Sequence, residues 1–157
     1  MATIYMAGGL FNAGERLHNL YLEKYLKVFG HTLILPQRQA LKFFKDGKFD
    51  IDAIVADCQQ HSVNMEVVYV GNSDGADTDS GTAVEYGIAI TAKGNAIIYR
   101  TDFRTALEYE VGLNAMLRAK GTVIIYQPCF FTELNEVETY YQDLASKINE
   151  AVYKITA

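Results

Sequence analysis

The strongest constraint on the fold is a regular alternation of short apolar runs with longer segments of helical period. Five runs have the length and composition of buried strands, at 3–7, 32–35, 67–70, 96–99 and 123–126. Segments whose apolar residues recur at helical spacing follow them, at 17–28, from 51 onward, 81–93, 106–118 and 133–152. Parallel strands joined through helices need right-handed crossovers, so we predict a parallel sheet with helices on both faces.

The expected strand order is 2-1-3-4-5, the flavodoxin-like order, in one doubly wound α/β domain spanning residues 1–157. Proteins with this order bind ligands at the carboxyl ends of the strands, near the point where the order reverses. The loops at Gly8-Gly9, Pro36-Gln37 and 71–80 follow strands one, two and three, so we expect them to face one cleft. The Lys-rich, aromatic segment 40–49 is predicted to be a loop.

Composition and charge exclude several classes of protein. Half of the 157 residues are hydrophobic, while 14 Lys and Arg face 19 Asp and Glu for a net charge of -5. Without a basic block, this balance excludes nucleic-acid binding through phosphate neutralisation. Cys58 and Cys129 form no CxxC pair, so we expect reduced thiols, not a disulfide framework or a zinc site. The lack of a signal peptide and of a membrane-spanning apolar run predicts a soluble, cytoplasmic protein.

The first glycine-rich loop does not match a phosphate-binding motif. Gly9 and Gly14 have the spacing of a P-loop, but Glu15-Arg16 stands where Lys-Ser/Thr is needed. The Glu15 carboxylate would repel a phosphate, and no lysine is present to meet one. The loop is therefore expected to suit an uncharged ligand, with small residues that let the backbone approach it.

A cluster of carboxylates is the most informative part of the chain. Loop 71–80 holds three aspartates at the predicted cleft, and Glu85 lies in the second turn of the helix that follows. Asp79 has two interpretations that the sequence leaves open, a helix N-cap and a functional acid. Glu85 faces small apolar neighbours, where a carboxylate is costly unless it is hydrogen-bonded, and Tyr5 is the expected donor. Two carboxylates in one cleft suit substitution at a sugar carbon.

These features resemble the nucleoside 2-deoxyribosyltransferase family over nearly the whole chain. The most specific match is 79–87, DSGTAVEYG, and the others are Ile4-Tyr5, the loop from Gly8 to Phe11, Asp57, 100–104 and 114–116. The resemblance implies transfer of 2-deoxyribose between a nucleoside and a free purine or pyrimidine base. Glu85 matches the family's nucleophile, which forms a covalent 2-deoxyribosyl-enzyme, so that configuration is retained over two displacements.

The resemblance also implies roles for the surrounding residues. Tyr5 matches the tyrosine that orients the nucleophile, and Asp79 and Asp57 match acids near the sugar and base, one of which carries the proton of the leaving base. Gly9, Phe11 and Gln37 are expected to bind substrate, with Gln37 touching the base. Asn114 and Met116 match residues that a neighbouring subunit supplies.

The expected partners are deoxynucleosides, free nucleobases and further copies of the chain. Active sites completed by a neighbour imply a homo-oligomer built on a dimer, up to a hexamer. No cofactor is expected, because a sugar without its 2-hydroxyl reaches a cation-like transition state with carboxylates alone. No metal is expected either, since His18, His31 and His61 are scattered along the chain. In members of the family, a short C-terminus that ends in Tyr can place its carboxylate in the active site of a neighbouring subunit. Here four residues follow Tyr153, so this contact is not expected.

Two alternative functions remain open on the sequence. A related enzyme class hydrolyses 2-deoxynucleoside 5′-monophosphates, which requires hydroxyl and Arg groups for the phosphate where this chain has Asn114 and the apolar Leu10-Phe11. The other alternative is a non-catalytic module that binds nucleosides or nucleotides on the same fold.

Overall fold

A computed structural model describes residues 1–104 and 112–157 of the chain. Its centre is a parallel sheet of five strands, namely β1 (Thr3–Ala7), β2 (Thr32–Ile34), β5 (Val67–Asn72), β6 (Ala96–Arg100) and β7 (Thr122–Tyr126). Two short strands, β3 (Phe44–Lys45) and β4 (Lys48–Phe49), form a separate antiparallel hairpin. The main sheet has the order β2-β1-β5-β6-β7, which confirms the order 2-1-3-4-5 predicted for its five strands.

Helices cover both faces of the sheet. They are α1 (Ala13–Val28), α2 (Pro36–Gln39), α3 (Ile51–Val63), α4 (Ser80–Lys93) and α5 (Leu134–Thr156). Alternate residues of β1 point to opposite faces, so Ile4 and Met6 pack with α1 and α5. Tyr5 and Ala7 pack on the other face of the sheet with α4. Helix α3 lies on the same side, in contact with α4. The side chain of Tyr5 is thereby directed toward α4.

Two helix starts near the carboxyl ends of the strands are fixed by side-chain caps. The Asn12 side chain accepts a hydrogen bond from the backbone N–H of Glu15 at 3.0 Å, and the Glu15 carboxylate accepts one from the Asn12 N–H in return. Asp79 caps α4, which ends at Gly94 in the left-handed conformation with φ 74°. The sequence therefore sets where both helices begin relative to the cleft.

The prediction of a loop at 40–49 is wrong. Residues Ala40–Phe43 form a 3₁₀ helix, and the β3–β4 hairpin follows it. Asp46 and Gly47 make the hairpin turn with φ of 50° and 77°, as Asp-Gly turns commonly do. The rings of Phe44 and Phe49 pack across the hairpin with centroids 4.7 Å apart.

The predicted helix at 106–118 falls partly outside the described residues, which resume at 112. Of its final part only Ala115–Leu117 is helical, as a single 3₁₀ turn. The Asn114 side chain caps this turn by accepting from the backbone N–H of Met116 at 3.0 Å. Among the described residues, no helix is long and apolar enough to cross a membrane. Cys58 and Cys129 are free thiols.

Candidate active site

A cavity of about 470 Å³ opens at the carboxyl ends of the central strands. Its walls come from the loop after β1, the segment from α2 to β4, α3 and the start of α4. Most of the lining is apolar, with the main contributions from Leu10, Phe11, Pro36, Ala40, Phe43, Phe49, Ile51 and Ile54. Three carboxylates predicted from the sequence, Asp57, Asp79 and Glu85, also line it. We call this space the apolar cavity.

Glu85 is held by a buried tyrosine. The hydroxyl of Tyr5, which is 0% exposed, donates a hydrogen bond of 2.9 Å to Oε1 of Glu85. Burial raises the pKa of the Glu85 carboxyl, and the charge of Asp79 adds to this, while the Tyr5 hydroxyl and the Cys58 thiol oppose it. Burial and then the charge of Glu85 raise the pKa of Tyr5 far above its usual range, so Tyr5 remains a neutral donor. The carboxylate is thus fixed but only lightly solvated.

Cys58 is a neighbour of Glu85 whose place in the site the sequence analysis missed. Its side chain lines the apolar cavity, and the nearby thiol lowers the pKa of the Glu85 carboxyl. Burial raises the pKa of the Cys58 thiol to about 11, so the thiol remains a protonated donor near neutral pH. Cys58 directly follows Asp57 on α3, so the helix that carries the predicted acid also supports the nucleophile. The adjacency in sequence was the available signal.

Asp79 has a structural role that is now established. Its Oδ2 atom accepts hydrogen bonds from the backbone N–H of Thr82 at 2.9 Å and from the Thr82 hydroxyl at 3.0 Å. The N-cap interpretation is therefore confirmed. The same residue lines two cavities, the apolar one and a second one described below, so the cap does not remove it from the site.

Asp57 reaches the apolar cavity from α3 and is the least constrained of the three carboxylates. Within residues 1–104 and 112–157 it accepts no hydrogen bond, and its Oδ1 lies 3.5 Å from Nε2 of His61 one turn later. The side chains of Asp57 and His61 are 21% and 22% exposed. Asp57 is thus available to a ligand in the cavity on one side and backed by an imidazole on the other.

A second cavity of about 330 Å³ lies on the other side of Asp79. Besides Asp79 it is lined by three carboxylates, Glu15, Asp74 and Asp102, and we call it the acidic cavity. Gly9, predicted to bind substrate, lines this cavity rather than the apolar one, where Gly8 stands instead. A β-carbon at Gly9 would lie 2.6 Å from the carboxyl carbon of Glu15, so a larger residue there would displace the carboxylate that caps α1.

Gln37 does not line the apolar cavity. It is buried, its Oε1 accepts a hydrogen bond from Asn19 at 3.0 Å, and its Nε2 donates to the backbone carbonyl of Arg16 at 3.4 Å. These contacts tie α2 to α1. Gln39 lines the cavity instead, because two residues along a helical turn face different directions. A helix beginning at Pro36 was the signal that distinguishes the two glutamines.

Asn114 and Met116 lie away from Glu85. They line a third cavity of about 510 Å³ on another side of α4, together with Tyr86 and Gly87. The side chain of Met116 is 81% exposed there. Within one copy of the chain, these two residues are therefore not brought to the carboxylates. Among the described residues, no group of three or more His, Cys, Asp and Glu side chains could hold a metal ion.

Comparison with known protein families gives a match over most of the chain. A family model described as nucleoside 2-deoxyribosyltransferase matches residues 4–148. The chain belongs to this family. The family processes nucleosides, so small nucleosides and bases are the class of molecule to which its members' sites are suited.

Two solved structures similar to this chain share its fold. A conserved protein from Enterococcus faecalis V583 is 22% identical, covers 96% of this chain and 99% of its own, and has a TM-score of 0.68. A 2-deoxyribosyltransferase from the psychrotolerant bacterium Bacillus psychrosaccharolyticus is 24% identical, with 92% and 96% coverage and a TM-score of 0.60. It is described as a suitable biocatalyst for the industrial synthesis of antiviral and antitumoral nucleosides. No curated protein matches the chain.

Proposed function

We propose that the protein transfers 2-deoxyribose between a purine or pyrimidine deoxynucleoside and a free base, through a covalent bond to Glu85. The observation that carries the proposal is the 2.9 Å hydrogen bond from Tyr5 to Glu85 at the wall of the apolar cavity. It orients one carboxylate oxygen and leaves the other to react. Membership of the nucleoside 2-deoxyribosyltransferase family supports the same chemistry.

In the first half-reaction, an oxygen of Glu85 attacks the anomeric carbon from the face opposite the base. The carbon–nitrogen bond breaks, its electron pair passes to the base, and a proton reaches a ring nitrogen of the base as it departs. The raised pKa of Glu85 reflects a poorly solvated carboxylate, which is a better nucleophile than a fully hydrated one. The apolar walls around Phe43 and Phe49 receive the base.

In the second half-reaction, a different base occupies the same walls and attacks the same carbon. The bond from carbon to Glu85 breaks, its electron pair returns to the carboxylate, and the incoming base gives up its proton. Two displacements at one carbon retain its configuration. Every bond is made and broken between substrate and side chains, so the proposal requires no cofactor.

Asp57 is the better candidate for the proton transfer, and Asp79 for holding the sugar. The Oδ2 atom of Asp79 is already the acceptor of two hydrogen bonds from Thr82, whereas Asp57 has no such commitment. Asp57 also lies on α3 beside Ile54 and Cys58 in the apolar cavity, where the base is expected. Phe11, which lines the apolar cavity and is 79% exposed, is proposed to close over the bound nucleoside.

Asn114 and Met116 are proposed to act on a neighbouring copy of the chain. The exposed Met116 and the cavity beside Tyr86 favour contact with another subunit over contact with the protein's own Glu85. A dimer-based oligomer, up to a hexamer, would then complete each site. Separated monomers are expected to be inactive, which sedimentation and activity measured at the same dilutions would test.

The decisive experiment is to trap the covalent intermediate. A slow deoxynucleoside with fluorine on its sugar, incubated without an acceptor base, should add one sugar to the intact mass of the protein. Glu85→Gln, which preserves the size of the side chain and an acceptor for Tyr5, should remain unlabelled, and Glu15→Gln in the acidic cavity should be labelled like the wild type. An unlabelled wild type that still transfers the sugar, or a fully labelled Glu85→Gln, contradicts the proposal.

A further inference from the structure

His61 links the two carboxyl groups to which the proposed function assigns chemistry. Its Nε2 lies 3.5 Å from Oδ1 of Asp57. Its ring stacks on the ring of Tyr5, with centroids 5.5 Å apart and planes inclined by 25°. Tyr5 in turn donates to Glu85. The imidazole is not among the residues that line the apolar cavity, so it reaches a ligand there only through its contacts with Asp57 and Tyr5.

The two half-reactions create a need that this arrangement can meet. The first base leaves with a proton, and the second base returns one only after the first has been released. Between these events the enzyme lacks one proton relative to its resting state. A group near Asp57 that readily gains and loses a proton would supply the first base and be refilled by the second, and imidazole is the side chain best suited to this near neutral pH.

Resting on the proposed function, we infer that His61 is a positioning residue that stores the transferred proton behind Asp57. In the resting enzyme the proton lies on Nε2 of His61, and Asp57 is ionised beside it. As the first base departs, Nε2–H gives its proton to Oδ1 of Asp57, and the carboxyl turns about its Cβ–Cγ bond so that Oδ1 delivers the same proton to the ring nitrogen. The 3.5 Å separation shortens when substrate fills the cavity, as catalytic hydrogen bonds often do.

The proton balance closes over one cycle. After the first half-reaction His61 is neutral, Asp57 is ionised, and the sugar is bonded to Glu85. The incoming base then loses its N–H proton to Asp57, which passes it to His61, as its nitrogen bonds to the sugar. The pair ends with the one proton with which it began. No oxidant, reductant or further co-reactant takes part.

Other titratable groups lie on α3 and on the elements beside it, and they must be separated from His61 in any pH measurement. They are Tyr5 of β1, Tyr69 of β5, Glu85 and Lys93 of α4, Arg38 of α2, Lys42 of the 3₁₀ helix, and Asp57 and Cys58 of α3 itself. Lys93 is the most important of these, because burial lowers its pKa to about 8. Its Nζ donates to the carbonyl of Val67 at 3.0 Å, away from Asp57.

Two substitutions at His61 divide its possible roles. His61→Phe keeps an aromatic ring over Tyr5 but cannot accept a proton. His61→Gln keeps a hydrogen-bond donor for Asp57 but cannot store the transferred proton. We expect both to slow base release in a single turnover by about 10- to 100-fold, toward the lower end of general acid–base effects. The loss should be below about threefold with a donor nucleoside that carries fluorine on its base, because a fluorinated base is a better leaving group and depends less on protonation.

The pH profile gives a readout that a purely structural role would not change. On the alkaline side, the wild-type rate of base release should fall when the pair loses its proton. In His61→Phe the proton resides on a carboxyl alone, so the fall should move to more acid pH. Lys93→Gln and the exposed Gln59→Ala on α3 should keep the wild-type profile.

The outcomes separate this inference from the proposed function. Equal losses with both donors, an unchanged pH profile, or full activity in His61→Gln would overturn the storage role. If the wild type transfers deoxyribose and forms the Glu85 adduct, such results leave the proposed function standing. If Glu85→Gln transfers normally, the proposed function itself fails, whatever the His61 variants do.

Discussion

The apolar and acidic cavities meet at Asp79, yet the carboxylates of the two cavities differ in how many hydrogen bonds they accept. In the acidic cavity Asp74 accepts from the backbone N–H groups of Thr101 and Asp102 at 2.6 and 2.8 Å, and Glu15 accepts from that of Phe11 at 2.7 Å. In the apolar cavity, Glu85 is held mainly by the Tyr5 hydroxyl. The carboxylates of the acidic cavity thus hold loops in place through hydrogen bonds to the backbone. Those of the apolar cavity keep oxygen atoms that can still bind a ligand.

The pKa shifts follow the same division. Burial raises the pKa of Asp102, but the backbone N–H groups of Arg104 and Gly75 and the nearby guanidinium groups outweigh it, so the net pKa is lowered. Burial also raises the pKa of Glu85, and the Tyr5 hydroxyl and the Cys58 thiol do not compensate fully. Reactivity therefore cannot be inferred from the number of acids in a pocket, because saturation by donors removes a carboxylate from chemistry.

The largest difference between the cavities should appear when each loses one carboxylate. Glu85→Gln is expected to lower kcat/KM for transfer by about a thousandfold or more, since an amide cannot serve as the nucleophile. Glu15→Gln should stay within about threefold of the wild type, because glutamine also completes the capping box. Initial rates with a deoxynucleoside and a second base, separated by chromatography, measure both. Comparable losses in the two variants would contradict the division.

Removing the donor to Glu85 should give the next largest effect. Tyr5→Phe is expected to lower kcat by about 10- to 100-fold, the range for a hydrogen bond to a charged group. Since that hydrogen bond lowers the pKa of Glu85, its loss should raise this pKa further and move the acid limb of the pH–rate profile to higher pH. Tyr25→Phe, a buried tyrosine on the opposite face of the sheet, is the matched control. An acid limb unchanged in Tyr5→Phe would show that Tyr5 does not tune the carboxylate.

The sequence was sufficient for the sheet and for the acids of the apolar cavity. Apolar runs and helical periods are local, and the order 2-1-3-4-5 follows from crossover rules, so both could be predicted. The pairing of Tyr5 with Glu85 was also predictable, because Tyr5 lies toward the carboxyl end of its strand and Glu85 lies near the start of a helix that packs on the sheet. The Asp-Gly turn at 46–47 carried a hairpin signal that the aromatic and Lys-rich composition of 40–49 obscured.

Directions of side chains within short elements could not be predicted in this way. Gln37 and Gln39 are equivalent in the sequence pattern, and only the helical turn at α2 separates the one bound to Asn19 from the one at the cavity. Gly9 was assigned to the substrate pocket, but the cap formed by Glu15 draws it to the acidic cavity. Such outcomes depend on tertiary contacts between α1, α2 and the loop after β1, which no local pattern encodes.

A smaller effect concerns the phosphate group of nucleotides. If the sugar is held over Glu85 and Asp79 as proposed, its 5′ end faces the acidic cavity, where Arg104 is paired with Asp102 and the Glu15 and Asp74 carboxylates would repel a 5′-phosphate. We expect the wild type to use deoxynucleosides in preference to their 5′-monophosphates, and Glu15→Gln to reduce the preference by about five- to tenfold, or about 1 kcal/mol of repulsion. The ratio of kcat/KM values measures this. Glu136→Gln, which removes the equivalent capping carboxylate of α5, should leave the ratio unchanged.

The result also tests the hydrolase alternative. An enzyme that acts on deoxynucleoside 5′-monophosphates would prefer the phosphorylated substrate and would release base without an acceptor. A preference of the wild type for the monophosphate would mean that the acidic cavity does not face the 5′ end of the sugar, and would favour that alternative.

The smallest expected effects are on stability, and they have opposite signs in the two cavities. The pKa of Glu85 is raised above its ordinary value of 4.5. Above the raised pKa the ionised carboxylate therefore destabilises the folded state, whereas below 4.5 the group is protonated in both states and this effect disappears. Glu85→Gln should therefore raise Tm at about pH 8 and lose that advantage near about pH 4, as pH falls through the window. Glu15→Gln should lower Tm slightly at about pH 8, because a carboxylate at a helix N-terminus stabilises by about 0.3–1 kcal/mol. Thermal unfolding followed by circular dichroism at both pH values measures the four differences, and a lower Tm for Glu85→Gln at the higher pH would mean that the Glu85 carboxylate stabilises the fold.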